Sequence, residues 1–96
     1  MKFSIFPFNI YKVEGHSMEP GLKSGDKVLL FTWAYLFSKP RKGDVIAFKA
    51  NSKVFIKRIS KVQGNAISVQ GDNRHDSLKL KPIKESQIIG KIIMRY

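Results

Sequence analysis

Hydrophobic and polar positions alternate along this chain in short runs. KVLLF (27–31), DVIAFK (44–49), KVFIKRISKV (53–62), AISVQ (66–70) and IIGKIIMRY (88–96) are dominated by Val, Ile and Phe. The breaks between them carry turn chemistry: Lys-Ser-Gly-Asp (23–26), Arg-Lys-Gly-Asp (41–44), Gln-Gly-Asn (63–65) and Gly-Asp-Asn (71–73). No helical period is sustained for long, and no internal repeat or low-complexity tract is present. The pattern predicts an all-β chain of several small curled antiparallel sheets, forming one domain over residues 1–96.

One run breaks its own pattern. In KVFIKRISKV side chains alternate between faces. Lys57 therefore shares a face with Phe55 and Ile59, and Arg58 shares the other with Ile56 and Ser60. A Lys between apolar neighbours is a candidate for partial burial, which disfavours the ammonium form. Catalytic lysines are tuned this way toward a pKa of ~7–8. From an ordinary value near 10.4, such tuning costs roughly 4 kcal/mol. The plainer alternative is an edge-strand Lys with its head in water.

Composition narrows the classes. The chain has 96 residues, 43% of them apolar, enough for a core and too many for disorder. It has no Cys, so disulfides, zinc–thiolate sites and thiol nucleophiles are excluded. A formal charge of +11 suits nucleic acid, an anionic membrane or an acidic partner without choosing among them. The N-terminal MKFSIFPFNIY is shorter than the ~20 apolar residues of a spanning helix. It also lacks the apolar length and small-residue exit of a secretory signal. LLFTWAYLF (29–37) reads either as a strand and loop on the core or as an aromatic loop dipping into a membrane interface, with Lys39, Arg41 and Lys42 behind it.

Gly15-His16-Ser17-Met18-Glu19-Pro20 places a Ser on a tight bend. A Ser nucleophile needs a base within hydrogen-bond reach, and Lys is one known solution besides His. Lys57 is the candidate base. His16 adjoins Ser17, and neighbouring side chains in extended chain point apart. His75 with Asp72, Asp76 and Ser77 is crowded into one turn, poorly placed for a relay. As metal ligands, His75, Asp72 and Asp76 fit no common template.

Four blocks in order resemble the signal peptidase I family. They are Gly15 to Pro20 (its G-x-S-M-x-P motif), Lys42-Gly43-Asp44-Val45-Ile46, Phe55-Ile56-Lys57-Arg58-Ile59, and Gly71-Asp72-Asn73-Arg74-His75-Asp76-Ser77 (its G-D-N-x-x-x-S block). The resemblance extends from residue 13 to about 91. The shortness and the closing segment are most similar to compact members such as nickel-type superoxide dismutase maturation peptidases.

The resemblance implies a fold shared with LexA-like catalytic domains and a Ser-Lys serine endopeptidase that removes a leader or signal peptide. It makes Ser17 the nucleophile, Lys57 the neutral general base and Ser77 the group that orients Lys57. The Ser17 N–H would donate to the oxyanion, a donor worth ~3–4 kcal/mol. Met18, Arg58 and Asp72 would be structural, the last two as a pair. The precursor would bind as an added strand along Val13, Gly15, Phe55 and Ile56, cut after small residues.

The family pattern is not complete here. Gly15 stands where some members place a second, hydroxyl donor. Ser77 is followed by Leu78-Lys79-Leu80-Lys81 in place of the usual acidic residue and Arg, and Gly21 replaces a usual Thr. No cofactor or metal is implied. With no spanning segment, the expected location is cytoplasmic or peripheral at an anionic membrane. Two other functions fit parts of the sequence: a LexA-type self-cleaving peptidase, and a basic nucleic-acid-binding module. The dispersed charge disfavours nucleic acid as a partner.

Overall fold

The computed structural model describes residues 5–74 and 80–96. Its strands are β1 (Phe8–Lys12), β2 (Lys27–Phe31), β3 (Val45–Ala50), β4 (Lys53–Gln63), β5 (Ala66–Gln70) and β6 (Ile88–Arg95). One helical turn, α1 (Ala34–Phe37), follows β2, and a 3-10 turn (Glu85–Gln87) leads into β6. The all-β expectation holds. The strands join, however, in one six-stranded antiparallel sheet ordered β1-β2-β6-β3-β4-β5. The physical reason is β6, which pairs with β2 from Val28↔Arg95 to Phe31↔Lys91 and with β3 from Ile46↔Lys91 to Phe48↔Ile88.

The sheet bends over its own core. Register shifts fall at Leu29/Leu30, Ala47/Phe48 and Ile59/Lys61, and bulges of this kind bend strands and increase twist. One face packs Ile46, Phe48, Ile59, Ile67, Val69, Ile83 and Ile88 into a cluster. Val28 and Leu30 are fully buried, whereas Phe8 and Ile10 of β1 are about half exposed. Each fully buried Val, Leu, Ile or Phe contributes about 1.5–3 kcal/mol.

Two turns of the same design start β2 and β3. In each, a Gly with positive φ (Gly25 at 95°, Gly43 at 96°) precedes an Asp. The Asp carboxylate accepts the N–H three residues back, from Lys23 at 2.8 Å and from Arg41 at 3.1 Å. Each turn also grips a second strand: Val13 donates to Asp26 and accepts from Gly25, and Ile59 donates to Asp44 and accepts from Gly43, all at 2.8 Å. β6 supplies each Asp with a cation, Arg95 to Asp26 at 3.4 Å and Lys91 to Asp44 at 3.5 Å. The Lys23 N–H, and after it Arg95, hold the Asp26 carboxyl below its ordinary range. Asp44 also accepts the Tyr35 hydroxyl at 2.7 Å.

The LLFTWAYLF stretch divides at Phe31. Its first part is the end of β2, with Leu30 buried; its second forms α1, with Ala34 buried and Leu36 and Phe37 exposed. A single helical turn is too short to leave a period in sequence. No helix among the described residues is long and apolar enough to cross a membrane.

Candidate active site

Ser17 sits in the β1–β2 connection, half-buried, on a turn closed by the Glu19 N–H donating to the His16 carbonyl at 3.1 Å. Met18, 2% exposed, anchors that turn in the core. Gly15 enters it at a φ of +82°, a conformation strained for residues with a Cβ. The His16 ring is exposed and pairs with the Glu19 carboxylate.

Lys57 lies on β4, opposite the fully buried Ile46 of β3. It is 6% exposed and is the one buried ionisable side chain among the described residues. The alternation read from sequence accounts for this: Ile59 on the same face is 1% exposed, whereas Arg58 on the other face is exposed.

Ser17 and Lys57, forty positions apart, line the same cleft of about 440 Å³. Its walls are Tyr11 to Met18 on one side and Val54 to Lys57 on the other, which brings in Val13, Gly15, Phe55 and Ile56. Ser77, and with it His75 and Asp76, lies outside the described residues.

Both walls are strand edges. β1 ends the sheet, and residues 53–57 of β4 pair only with β3, because β5 ends at Gln70, opposite Arg58. In an antiparallel ladder alternate residues turn their N–H and C=O to opposite edges. Ile59 bonds toward β3 through both groups, so those of Lys57 and Phe55 do the same and those of Val54 and Ile56 face the cleft. Val13 likewise spends both groups on the β2 side, which leaves those of Ile10 and Lys12 on the outer edge. Val13 and Phe55 thus offer side chains to the cleft, while the pairing groups belong to their neighbours.

The third component is the loop after β5. Arg58 reaches it with a bidentate fork, Nε to Asp72 Oδ1 and Nη2 to Asp72 Oδ2, and its Nη1 donates to the Gly43 carbonyl. Asp72 in turn raises the Arg58 pKa, chiefly through its hydrogen bond. Asn73 donates its backbone N–H to the Ser17 carbonyl at 2.8 Å and its Nδ2 to the His16 carbonyl at 2.9 Å. Gly71 lies so close that a Cβ there would stand 2.6 Å from the Ser17 oxygen. Sequence reasoning missed this contact between Gly71, Asn73 and the Ser17 turn. Gly-Asp-Asn is turn chemistry, and nothing local to it points to a partner more than fifty residues away.

A family model described as signal peptidase, peptidase S26, matches residues 1–74. The chain is 32% identical over 95 residues to signal peptidase I of Bacillus caldolyticus, a match covering 92% of this chain and 52% of that protein. It is 33% identical over 72 residues to signal peptidase IB of Staphylococcus aureus strain N315, covering 74% and 36%. The chain thus spans about half or less of the length of these curated relatives.

Proposed function

This chain belongs to the signal peptidase family, peptidase S26, and from that premise we propose that it is a serine endopeptidase in which Ser17 is the nucleophile and Lys57 the general base. The observation that carries the reading is the burial of Lys57 in the cleft that Ser17 also lines. Burial favours the neutral amine over the ammonium, and a neutral amine can accept a proton.

The steps follow from these roles. Lys57 Nζ takes the Ser17 hydroxyl proton as Oγ bonds to the scissile carbonyl carbon. The Ser17 N–H donates to the resulting oxyanion. Collapse of the tetrahedral intermediate breaks the C–N bond, and Lys57 returns the proton to the leaving amine. Lys57 then deprotonates a water that attacks the acyl-enzyme ester, which releases the acid and restores Ser17. Ser77, from the family pattern, orients the Lys57 amine.

The substrate is a precursor with an N-terminal leader or signal peptide. It binds as an added strand between the exposed edges of β1 and β4, pairing with Ile56 and Val54 on one side and Lys12 on the other. Cleavage falls after small residues. Peripheral contact with an anionic bilayer goes with this role. Phe37, 78% exposed, and the half-exposed Phe8, Ile10 and Met94 supply apolar surface on a strongly basic chain.

The test is cleavage of a mixed peptide library read by mass spectrometry, with and without anionic vesicles. Cuts after small residues that vanish in Ser17→Ala and in Lys57→Met are expected. Cuts that persist in both variants would overturn the dyad, and vesicle-independent rates would remove the membrane from the reading. Cleavage of an added peptide separates this enzyme from one that cuts only itself.

A further inference from the structure

We propose that Asn73 is a positioning residue that aims the Ser17 amide at the oxyanion, an inference that rests on the Ser17–Lys57 reading. The side-chain Nδ2 of Asn73 donates to the His16 carbonyl at 2.9 Å. In a trans peptide the C=O and the following N–H lie in one plane and point in opposite directions. The His16–Ser17 peptide is trans. The atom that Asn73 holds and the N–H that would meet the oxyanion are therefore two ends of one rigid plate. Pulling the carbonyl toward residue 73 turns the Ser17 N–H away from it.

One further contact fixes the same plate and another fixes the next. The Glu19 N–H donates to the same His16 oxygen at 3.1 Å. The Asn73 backbone N–H takes the next carbonyl, that of Ser17, at 2.8 Å. Two consecutive carbonyls are thus drawn to one residue. Gly71 makes the approach possible, since a Cβ there would stand 2.6 Å from the Ser17 oxygen and 3.1 Å from its Cβ. The loop cannot drift with the turn it holds, because Asp72 is anchored by the Arg58 fork. Oxyanion donors are effective because they are oriented before the charge develops. Asn73 supplies that orientation while lying behind the peptide plane.

The test compares two ligands in the full chain: a peptide boronic acid ending in Ala, whose adduct with Ser17 carries a tetrahedral oxyanion, and the same peptide as its amide. Asn73→Asp keeps the backbone bond and the shape but replaces the Nδ2 donor with an acceptor, and Asn73→Ala removes the side chain. Both variants are expected to weaken boronate binding about 10- to 100-fold, less than the roughly 100- to 1,000-fold that follows outright removal of an oxyanion donor, because the Ser17 N–H is misaimed and not lost. Affinity for the amide is expected to stay unchanged, and kcat to fall with KM held. Equal weakening of both ligands, or none, would overturn the proposal. Boronate binding that survives Ser17→Ala would instead defeat the peptidase reading. The Ser17 amide resonance of the unliganded protein then still decides on Asn73: movement in both variants upholds it as the group orienting that amide, and no movement overturns it.

Discussion

Arg58 and Asp72 meet through two parallel hydrogen bonds of 2.9 Å each. Arg58 directly follows Lys57, and Asp72 directly precedes Asn73. The pair therefore ties the strand that carries the buried lysine to the loop that holds the Ser17 turn. A lysine at 58 would keep the charge but lose the fork. Arg58→Lys is expected to slow peptide cleavage by about tenfold or more while shifting the melting temperature only a few degrees, because a partly exposed pair contributes ~1 kcal/mol or less. Wild-type turnover in this variant would mean that the fork has no bearing on the site.

Gly71→Ala forces a Cβ against the Ser17 carbonyl, an atom of the backbone that cannot swing aside. Overpacking of this sort costs about 1–3 kcal/mol. The loss of kcat is expected to exceed what the loss of stability accounts for, since the displaced atoms belong to the nucleophile. Thermal melts and cleavage rates on the same preparation check this. Full activity with a normal melt would show that the loop yields freely.

Lys57→Met replaces a buried amine with an apolar chain of similar length. Burying a polar amine costs free energy even when it is neutral, and burying a thioether does not. Cleavage should vanish while the melting temperature stays level or rises. A fall of several degrees would mean that the lysine's polar contacts stabilise the fold more than its burial costs.

Tyr35 gives a pH dependence with a definite sign. Its hydroxyl is pushed well above its ordinary pKa by burial first and by the Asp44 carboxylate second. In the unfolded chain it ionises near 10. The folded pKa is the higher one, so this stabilisation is fully present below about pH 10 and is lost as pH rises beyond it. Tyr35→Phe should cost about 1 kcal/mol near neutrality, the worth of one hydrogen bond. Its stability should then fall less steeply than that of wild type from about pH 10 upward. Urea melts at two pH values decide; parallel losses in both proteins would show that Tyr35 contributes nothing to the alkaline limb.

Much of this was legible in sequence where a local rule applied. KVLLF and AISVQ have the bounds of β2 and β5, because Val, Ile and Leu between turn residues leave few alternatives. The face of Lys57 followed from strand alternation alone. β1 is not legible as a strand, since FNIYK follows Pro7 and sets Phe8 and Ile10 beside Asn9 and Lys12 in a run of only five residues. Its identity depends on pairing with β2. The joining of the strands into one sheet was hidden for a similar reason. β6 is legible as a strand, but its position between β2 and β3 is a property of distant partners. Asn73 illustrates the limit within the site, where its side chain crosses fifty-seven positions to reach His16.

The position of β6 also bears on biosynthesis. The turn with Ser17 lies between β1 and β2, and Lys57 lies on β4; β2 and β3 are joined edge to edge only through β6. Until residues 88–95 have left the ribosome, the two halves of the cleft belong to strand groups with no ladder between them. Such distant pairings form slowly, because loop closure must precede the contacts that reward it. A nascent chain that already contains Ser17, Lys57 and Asn73 still lacks the strand that seats them in one sheet. β6 lines no wall of that cleft, and so sets when the cleft can form without taking part in it.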